Sequence, residues 1–213
     1  RIIDLNKEHN LKLFAPYNPL TGEGSPIDRE RLYIDIERKQ FVRIPTYLYK
    51  TQVIQDIVFA GSVERYSLNK GVDFDAMMDF VNELRITYDF EFWCATCAKI
   101  KNKTTGRIVP FILRHAQLKL VKLLVNDLFS GEPVRVILLK ARQWGGSTVV
   151  QMFMAWIQIF HRINWNSVII AHQKDASRNI RAMYSRMAEE HPTDVFPVRF
   201  RSFEGSQSNK LLV

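Results

Sequence analysis

Cysteine is scarce in this sequence: its 213 residues include two, Cys94 and Cys97. Two cysteines cannot build the multi-bridge framework of a disulfide-rich fold. They stand as a CxxC, and no second CxxC completes the roughly four ligands of a structural zinc. His115 offers a third ligand only with help from elsewhere in the fold. A redox CxxC follows a strand and opens a helix, whereas strand-like sequence lies on both sides here. Reduced, packed thiols are the expectation. Long apolar runs are missing as well. None reaches the ~18 residues of a membrane span, and the opening RIIDLNKEHN lacks the apolar stretch of a secretory signal. No membrane partner is expected. The chain starts at Arg1 and finishes on Leu211, Leu212 and Val213, so it is expected to be a piece of something longer.

What is present is ordinary globular material, 46% hydrophobic and 24% charged, enough for one sizeable core with an appended subdomain. The net charge of +8 is unevenly placed: residues 110–213 carry 14 Lys+Arg against 7 Asp+Glu, and residues 1–109 carry 16 against 15. The back half is therefore the one expected to face phosphates, the alternative being a solvated basic surface.

Turn signals crowd residues 1–50 (Pro16, Asn18-Pro19, Gly22, Gly24, Pro26, Pro45), which reads as an irregular arm. Asp73 is placed to cap a helix with Phe74, Met77, Met78, Val81 and Leu84 on one face. Residues 86–93 alternate like a strand. Lys99–Lys101 and residues 107–109, joined through Lys103, Thr104, Thr105 and Gly106, form a predicted hairpin. Residues 1–107 thus read as an arm followed by a small α+β subdomain.

From residue 108 the pattern is more regular. Residues 115–129 predict a helix with Leu118, Val121, Leu124, Val125 and Leu128 inward and Lys119, Lys122 and Asn126 outward. Gly131-Glu132-Pro133 breaks it. Residues 134–139 are almost wholly apolar, as in strands buried within parallel sheets. A loop of small and polar residues, 140–147, leads to a helix over 148–160 that is apolar nearly all round, save Gln151 and Gln158. Residues 167–171 predict a second buried strand. Residues 175–190 predict an amphipathic helix capped by Asp175 and stopped by Pro192. Trp156 and Trp165 are expected in the core, and Trp144 within the loop. The order α, β, loop, α, β, α predicts an α/β fold with a parallel sheet and the loop at its carboxyl edge, where ligands bind.

That loop carries the chemistry. A phosphate cradle needs inward backbone N–H groups, a helix N-terminus, a lysine, and a hydroxyl for Mg²⁺. The usual form is GxxxxGK[ST]. With Ser147 at the hydroxyl position, Gly145 takes the second glycine, Gly146 the lysine, and Lys140 the first glycine. Lysine and glycine have exchanged ends. Because the loop wraps around the phosphates, Lys140 can reach the β/γ oxygens from the front, while Gly146 lets the backbone come close. Against the plain pattern this is a failed match, and a glycine-containing strand–helix turn with a scattered basic residue is the alternative.

The stretch KARQWGGST, residues 140–148, resembles the deviant Walker A loop of phage and herpesvirus terminase large subunits, which is often lysine-first or [SA]RQxGK[ST]-like. PFILRHAQLKLVKLL upstream and NSVIIAHQKDASRNIRAMYSRM downstream resemble the flanking segments of that family. The resemblance spans residues 108–213, about half of the chain, and it is specific as a cluster. It implies a truncated P-loop NTPase-type parallel sheet flanked by helices, behind an irregular α+β N-terminal region. The implied activity is ATP hydrolysis that drives double-stranded DNA into a procapsid. In the implied site Lys140 and Arg142 are catalytic, Arg142 acting on the γ-phosphate, where a permanently charged planar guanidinium suits developing charge. ATP is held by Gln117, Lys140, Ala141, Arg142, Gln143, Trp144, Gly145, Gly146, Ser147 and Thr148, and Mg²⁺ by Ser147. Gln117 reads adenine through two-point amide pairing. The implied partners are a portal protein, a small terminase subunit and further copies of the chain in a ring, in the cytoplasm of an infected host cell. Hydrolysis also needs an apolar strand ending in Asp-Glu, a pair this sequence lacks. The family places that strand, and an endonuclease domain, farther downstream, so this chain alone is expected not to turn ATP over.

Bland alternatives stand beside these roles: a surface glutamine for Gln117, a helix-capping or sheet-edge ion pair for Arg142, a solvated face for Arg178, Arg181 and Arg186. Two other functions share the same features, a helicase-like P-loop NTPase and a non-enzymatic basic module that holds nucleic acid.

Overall fold

A computed structural model of the chain describes residues 16–102, 104–139, 144–162, 165, 167–171, 173–192, 200–202 and 210–212. Two compact units interleave along the sequence, Arg1–Phe92 with Leu113–Val134, and Trp93–Ile112 with Arg135–Val213. No single cut of the chain separates them.

The first unit opens with an antiparallel pair, β1 (Arg29–Asp35) and β2 (Gln40–Pro45), in the register Arg31 to Arg43 and Leu32 to Val42. Leu32, Val42 and Ile44 are buried, with Ile34 packed beside them. The residues between them point the other way, as period two requires. Short helices follow, α1 (Thr46–Tyr49), α2 (Gln52–Ala60) and α3 (Val63–Lys70), then the longer α4 (Phe74–Tyr88). Their apolar faces supply Leu48, Ile54, Ile57, Val63, Met77 and Val81 to the same core. The irregular arm expected over residues 1–50 is thus corrected over its described part. Its prolines and glycines do mark a turn, the bend that closes with Asn18 against Glu23. There a Cβ on Gly22 (φ 75°) would fall 2.1 Å from the Arg43 carbonyl oxygen, so glycine lets the bend lie against β2. The hairpin was hidden because its own turn has no glycine; Lys39 takes the left-handed conformation instead, φ 55°.

Asp73 caps α4 as expected, its carboxylate accepting from the N–H groups of Asp75 at 3.0 Å and Ala76 at 3.3 Å. Asp73→Ala is expected to cost about 1 kcal/mol, read as a lower urea midpoint at unchanged slope.

Residues 86–93 are not a strand. α4 runs through Tyr88, and a second helix, α5 (Phe90–Thr96), begins two residues later. The polar positions that gave the alternation, Asp89 and Glu91, are 0% exposed. No solvated face exists for a half-buried strand, and the period-two signal loses its meaning. In α6 (His115–Ser130), Leu118, Val121, Leu124 and Val125 are buried, Lys119 and Asn126 exposed, and Gly131 ends the helix at φ 74°. Phe129 near its end stacks on Tyr47, ring centroids 3.9 Å apart.

In the second unit β3 (Lys99–Lys101) pairs antiparallel with β4 (Ile108–Pro110), as predicted. The side chain of Asn102 holds the turn by accepting from Thr104 N–H and Thr105 N–H. Helices α7 (Gly146–Phe160) and α8 (Lys174–Glu189) pack together around Val149, Met152, Trp156 and Met187, all buried. The two glutamines of α7 explain themselves here. Gln151 donates to the Ile180 carbonyl at 2.8 Å, and Gln158 donates to the Trp165 carbonyl at 2.9 Å while accepting from Tyr184 at 3.3 Å. The N-cap of α8 is Gln173, not Asp175, which sits in the first turn and pairs with Arg178 at 3.4 Å. Trp165, expected in the core, is 43% exposed. β5 (Phe200–Ser202) and β6 (Lys210–Leu212) form a last antiparallel pair.

The chain therefore mixes helices and strands, but every strand pair among the described residues is two-stranded and antiparallel. Residues 134–139 and 167–171, expected as buried parallel strands, pair with no described strand. Their side chains face outward: Ile137 and Leu139 fully, Val168 to 79% and Ile170 to 91%. An apolar run records a capacity for burial, and the neighbour that buries it is a separate, long-range matter. Among the described residues no helix is long and apolar enough to cross a membrane.

Candidate functional site

The loop that joins residues 134–139 to α7 lies partly outside the described residues: Lys140, Ala141, Arg142 and Gln143 fall there. The rest is described. Trp144 is half-buried, and Gly145 is the N-cap of α7 at φ 82°, a residue with no side chain to cap the helix. The first intrahelical bond runs from Val149 N–H to the Gly145 carbonyl at 3.2 Å. The N–H groups of Gly146, Ser147 and Thr148 therefore precede the helical ladder and point out along its axis, the arrangement that favours an anion. The two hydroxyls differ. Thr148 is turned to α8, donating to the Met183 sulfur at 3.6 Å, while Ser147 is exposed. Of the pair, Ser147 is the one open to a metal ion.

Gln117 belongs to the first unit and the loop to the second. Gln117 is 4% exposed, and its Oε1 accepts from the Arg114 N–H at 2.8 Å, holding the start of α6. It is not a surface residue, and at this burial adenine reaches its amide only if the start of α6 moves. Cys94 and Cys97 are buried and unbridged. Burial pushes the Cys97 thiol up, against a contact with Thr96 that lowers it; a thiol held protonated is a poor nucleophile and ligand. Among the described residues no three His, Cys, Asp or Glu side chains gather as a metal site.

Sequence reasoning missed a second constellation, a buried ion cluster in the first unit. Asp89 sits at the junction of α4 and α5, where its Oδ1 accepts from the Phe92 N–H at 3.4 Å. Arg29 of β1 forks onto it at 2.6 and 2.8 Å and reaches Glu91 at 2.9 Å. Ser25 donates to the other oxygen of Glu91 at 2.9 Å. Arg85 lies over the Phe92 ring at 3.7 Å and donates to the Leu20 carbonyl at 2.6 Å. Burial pulls the Arg29 pKa down, but Asp89 and Glu91 more than reverse it, and the guanidinium stays charged. Burial lowers Arg85 to about 10, opposed by Asp89 and assisted by Arg29. Burial raises Glu91 to about 7, with Asp89 adding to the rise while Arg29 and Ser25 oppose it. Tyr47, against the same cluster, is pushed well above its usual value by burial. Asp89 and Glu91 are both 0% exposed, so no substrate reaches them. The cluster ties β1 to the α4–α5 junction; it is not a catalytic pair.

It does make stability depend on pH. The folded pKa of Glu91 lies above its unfolded value, so the native state binds the proton more tightly between the two. The contribution is present below the unfolded value near 4.5 and is lost as pH rises to about 7. Urea midpoints at about pH 5 and about pH 7.5 should show this decline, and Glu91→Gln should flatten it.

Compared with protein-family models, with curated proteins and with solved structures, the chain matches none.

Proposed function

We propose that this chain is the nucleotide-binding front of an ATP-driven DNA-packaging motor, a terminase large subunit. ATP and Mg²⁺ are held by residues 140–148, and double-stranded DNA is the cargo. One observation carries the reading: α7 starts behind a left-handed Gly145 that brings no capping side chain, with Ser147 exposed and Thr148 turned away. Every helix start leaves N–H groups without an intrahelical partner; what this one adds is an exposed hydroxyl, Ser147, in the same turn, and a triphosphate with its metal uses both. Lys140 enters from the front of the turn to neutralise the β/γ oxygens. By the resemblance to terminase loops, Arg142 acts on the γ-phosphate and Ser147 takes Mg²⁺. Residues 134–139 and 167–171 have the composition of inner strands of a P-loop-type parallel sheet.

Because the sequence lacks the Asp-Glu pair that hydrolysis needs, the informative measurement is binding. Isothermal titration of the 213-residue chain with ATPγS and Mg²⁺ should give saturable heat that disappears without the metal. No heat would leave a basic binding module and sink the nucleotide reading.

A further inference from the structure

The face of the β1–β2 pair turned away from the core carries Arg29, Arg31 and Tyr33 on one strand and Phe41 and Arg43 on the other. Arg29, at one end, is sealed by Asp89 and Glu91. The rest of the face is treated differently. Arg31 stands directly opposite Arg43, and Tyr33 opposite Phe41. Like charges opposite one another across strands oppose pairing, and among the described residues neither arginine has an ion-pair partner. Both guanidinium carbons lie over the Phe41 ring, at 4.9 Å for Arg31 and 5.8 Å for Arg43, and Tyr33 meets that ring edge-on at 5.8 Å. Arg31 is exposed and Arg43 half-buried. Phe41 therefore serves as a platform that fixes two cations side by side with their N–H edges unspent, the geometry that suits phosphate oxygens.

We propose that this face binds the phosphate backbone of duplex DNA without regard to sequence. Charge complementarity selects a polyanion. The ring is already engaged by two guanidiniums and a tyrosine, so it offers no free platform for an unstacked base, as a single strand would need. Contacts to phosphate oxygens carry no sequence information in themselves. A duplex supplies the densest regular array of phosphates. The choice of DNA among polyanions rests on the packing-motor reading; the phosphate contact does not.

The test is fluorescence anisotropy of the 213-residue chain on a labelled duplex of about 30 base pairs over a range of salt. Arg31→Gln with Arg43→Gln should weaken binding and reduce the slope of log affinity against log salt by about 1.8, near 0.9 for each lost phosphate contact. Phe41→Leu should weaken binding with the slope unchanged, since the cations remain and only their fixation is lost. The urea midpoint of the double variant should be equal to or above that of the parent, because a like-charge pair has been removed. An unchanged slope in the double variant overturns the proposal. So does equal affinity for a single strand of the same length, or full competition by polyglutamate. ATPγS titration of the double variant separates the two readings. Parental heat with lost DNA binding supports both, while a slope change in a chain that never binds nucleotide keeps this face and removes the motor.

Discussion

Asp89→Ala is expected to destabilise the first unit by about 3–5 kcal/mol, the range for stripping one partner from a buried ion pair. Three hydrogen bonds end on this carboxylate, two from Arg29 and one from the Phe92 N–H. Its removal leaves two buried guanidiniums, Arg29 and Arg85, against Glu91 alone. Near neutral pH that residue is only partly ionised, since burial raises its pKa to about 7. The uncompensated charge, more than the lost bonds, sets the size of the effect. Arg29→Met with Asp89→Leu removes a charge of each sign and should be milder than Asp89→Ala. Urea unfolding followed by circular dichroism would read the difference. A loss below about 1 kcal/mol for Asp89→Ala would mean that the cluster is hydrated and not dry.

Lys140→Ala is expected to weaken ATPγS binding by about 10- to 100-fold, from the roughly 1.5–3 kcal/mol of a charge-assisted hydrogen bond. The lysine of the usual loop stands just before the hydroxyl residue, and here that place is Gly146, which is buried within the first turn of α7. No other lysine lies within the 140–148 turn. A lysine charge on the β/γ oxygens therefore comes from Lys140, and Arg142 is the one other cation of the turn. Arg142→Ala separates the two basic residues: binding should fall little, and turnover by about 10³ or more wherever a complete hydrolytic set is present. Equal calorimetric affinity for the parent and Lys140→Ala would show that the turn holds phosphate, if at all, by backbone alone.

Some local signals are legible because they are complete within a few residues. Asp73 caps its own helix, Gly131 stops its own helix, and the Asn102–Gly106 turn closes its own hairpin. The alternation at residues 86–93 implies a strand only if its polar side chains face solvent, and Asp89 and Glu91 do not. Their partner, Arg29, lies 60 residues away from Asp89 in sequence, and no window of local pattern contains both. The β1–β2 hairpin escaped for the complementary reason. Lys39 turns the chain in a conformation that pattern assigns to glycine, and the prolines and glycines on either side give residues 1–50 the pattern of an irregular arm.

By itself, then, the sequence determined the Asp73 cap of α4, the Gly131 stop of α6 and the turn between β3 and β4, since such signals act over a few residues of chain. Tertiary structure alone decided that Asp89 and Glu91 are buried against Arg29, that Thr148 turns to Met183 while Ser147 stays open, and that Arg31 and Arg43 share one ring. Each of those outcomes depends on the dielectric and the neighbours that a distant segment supplies, and burial is a property of the assembled chain.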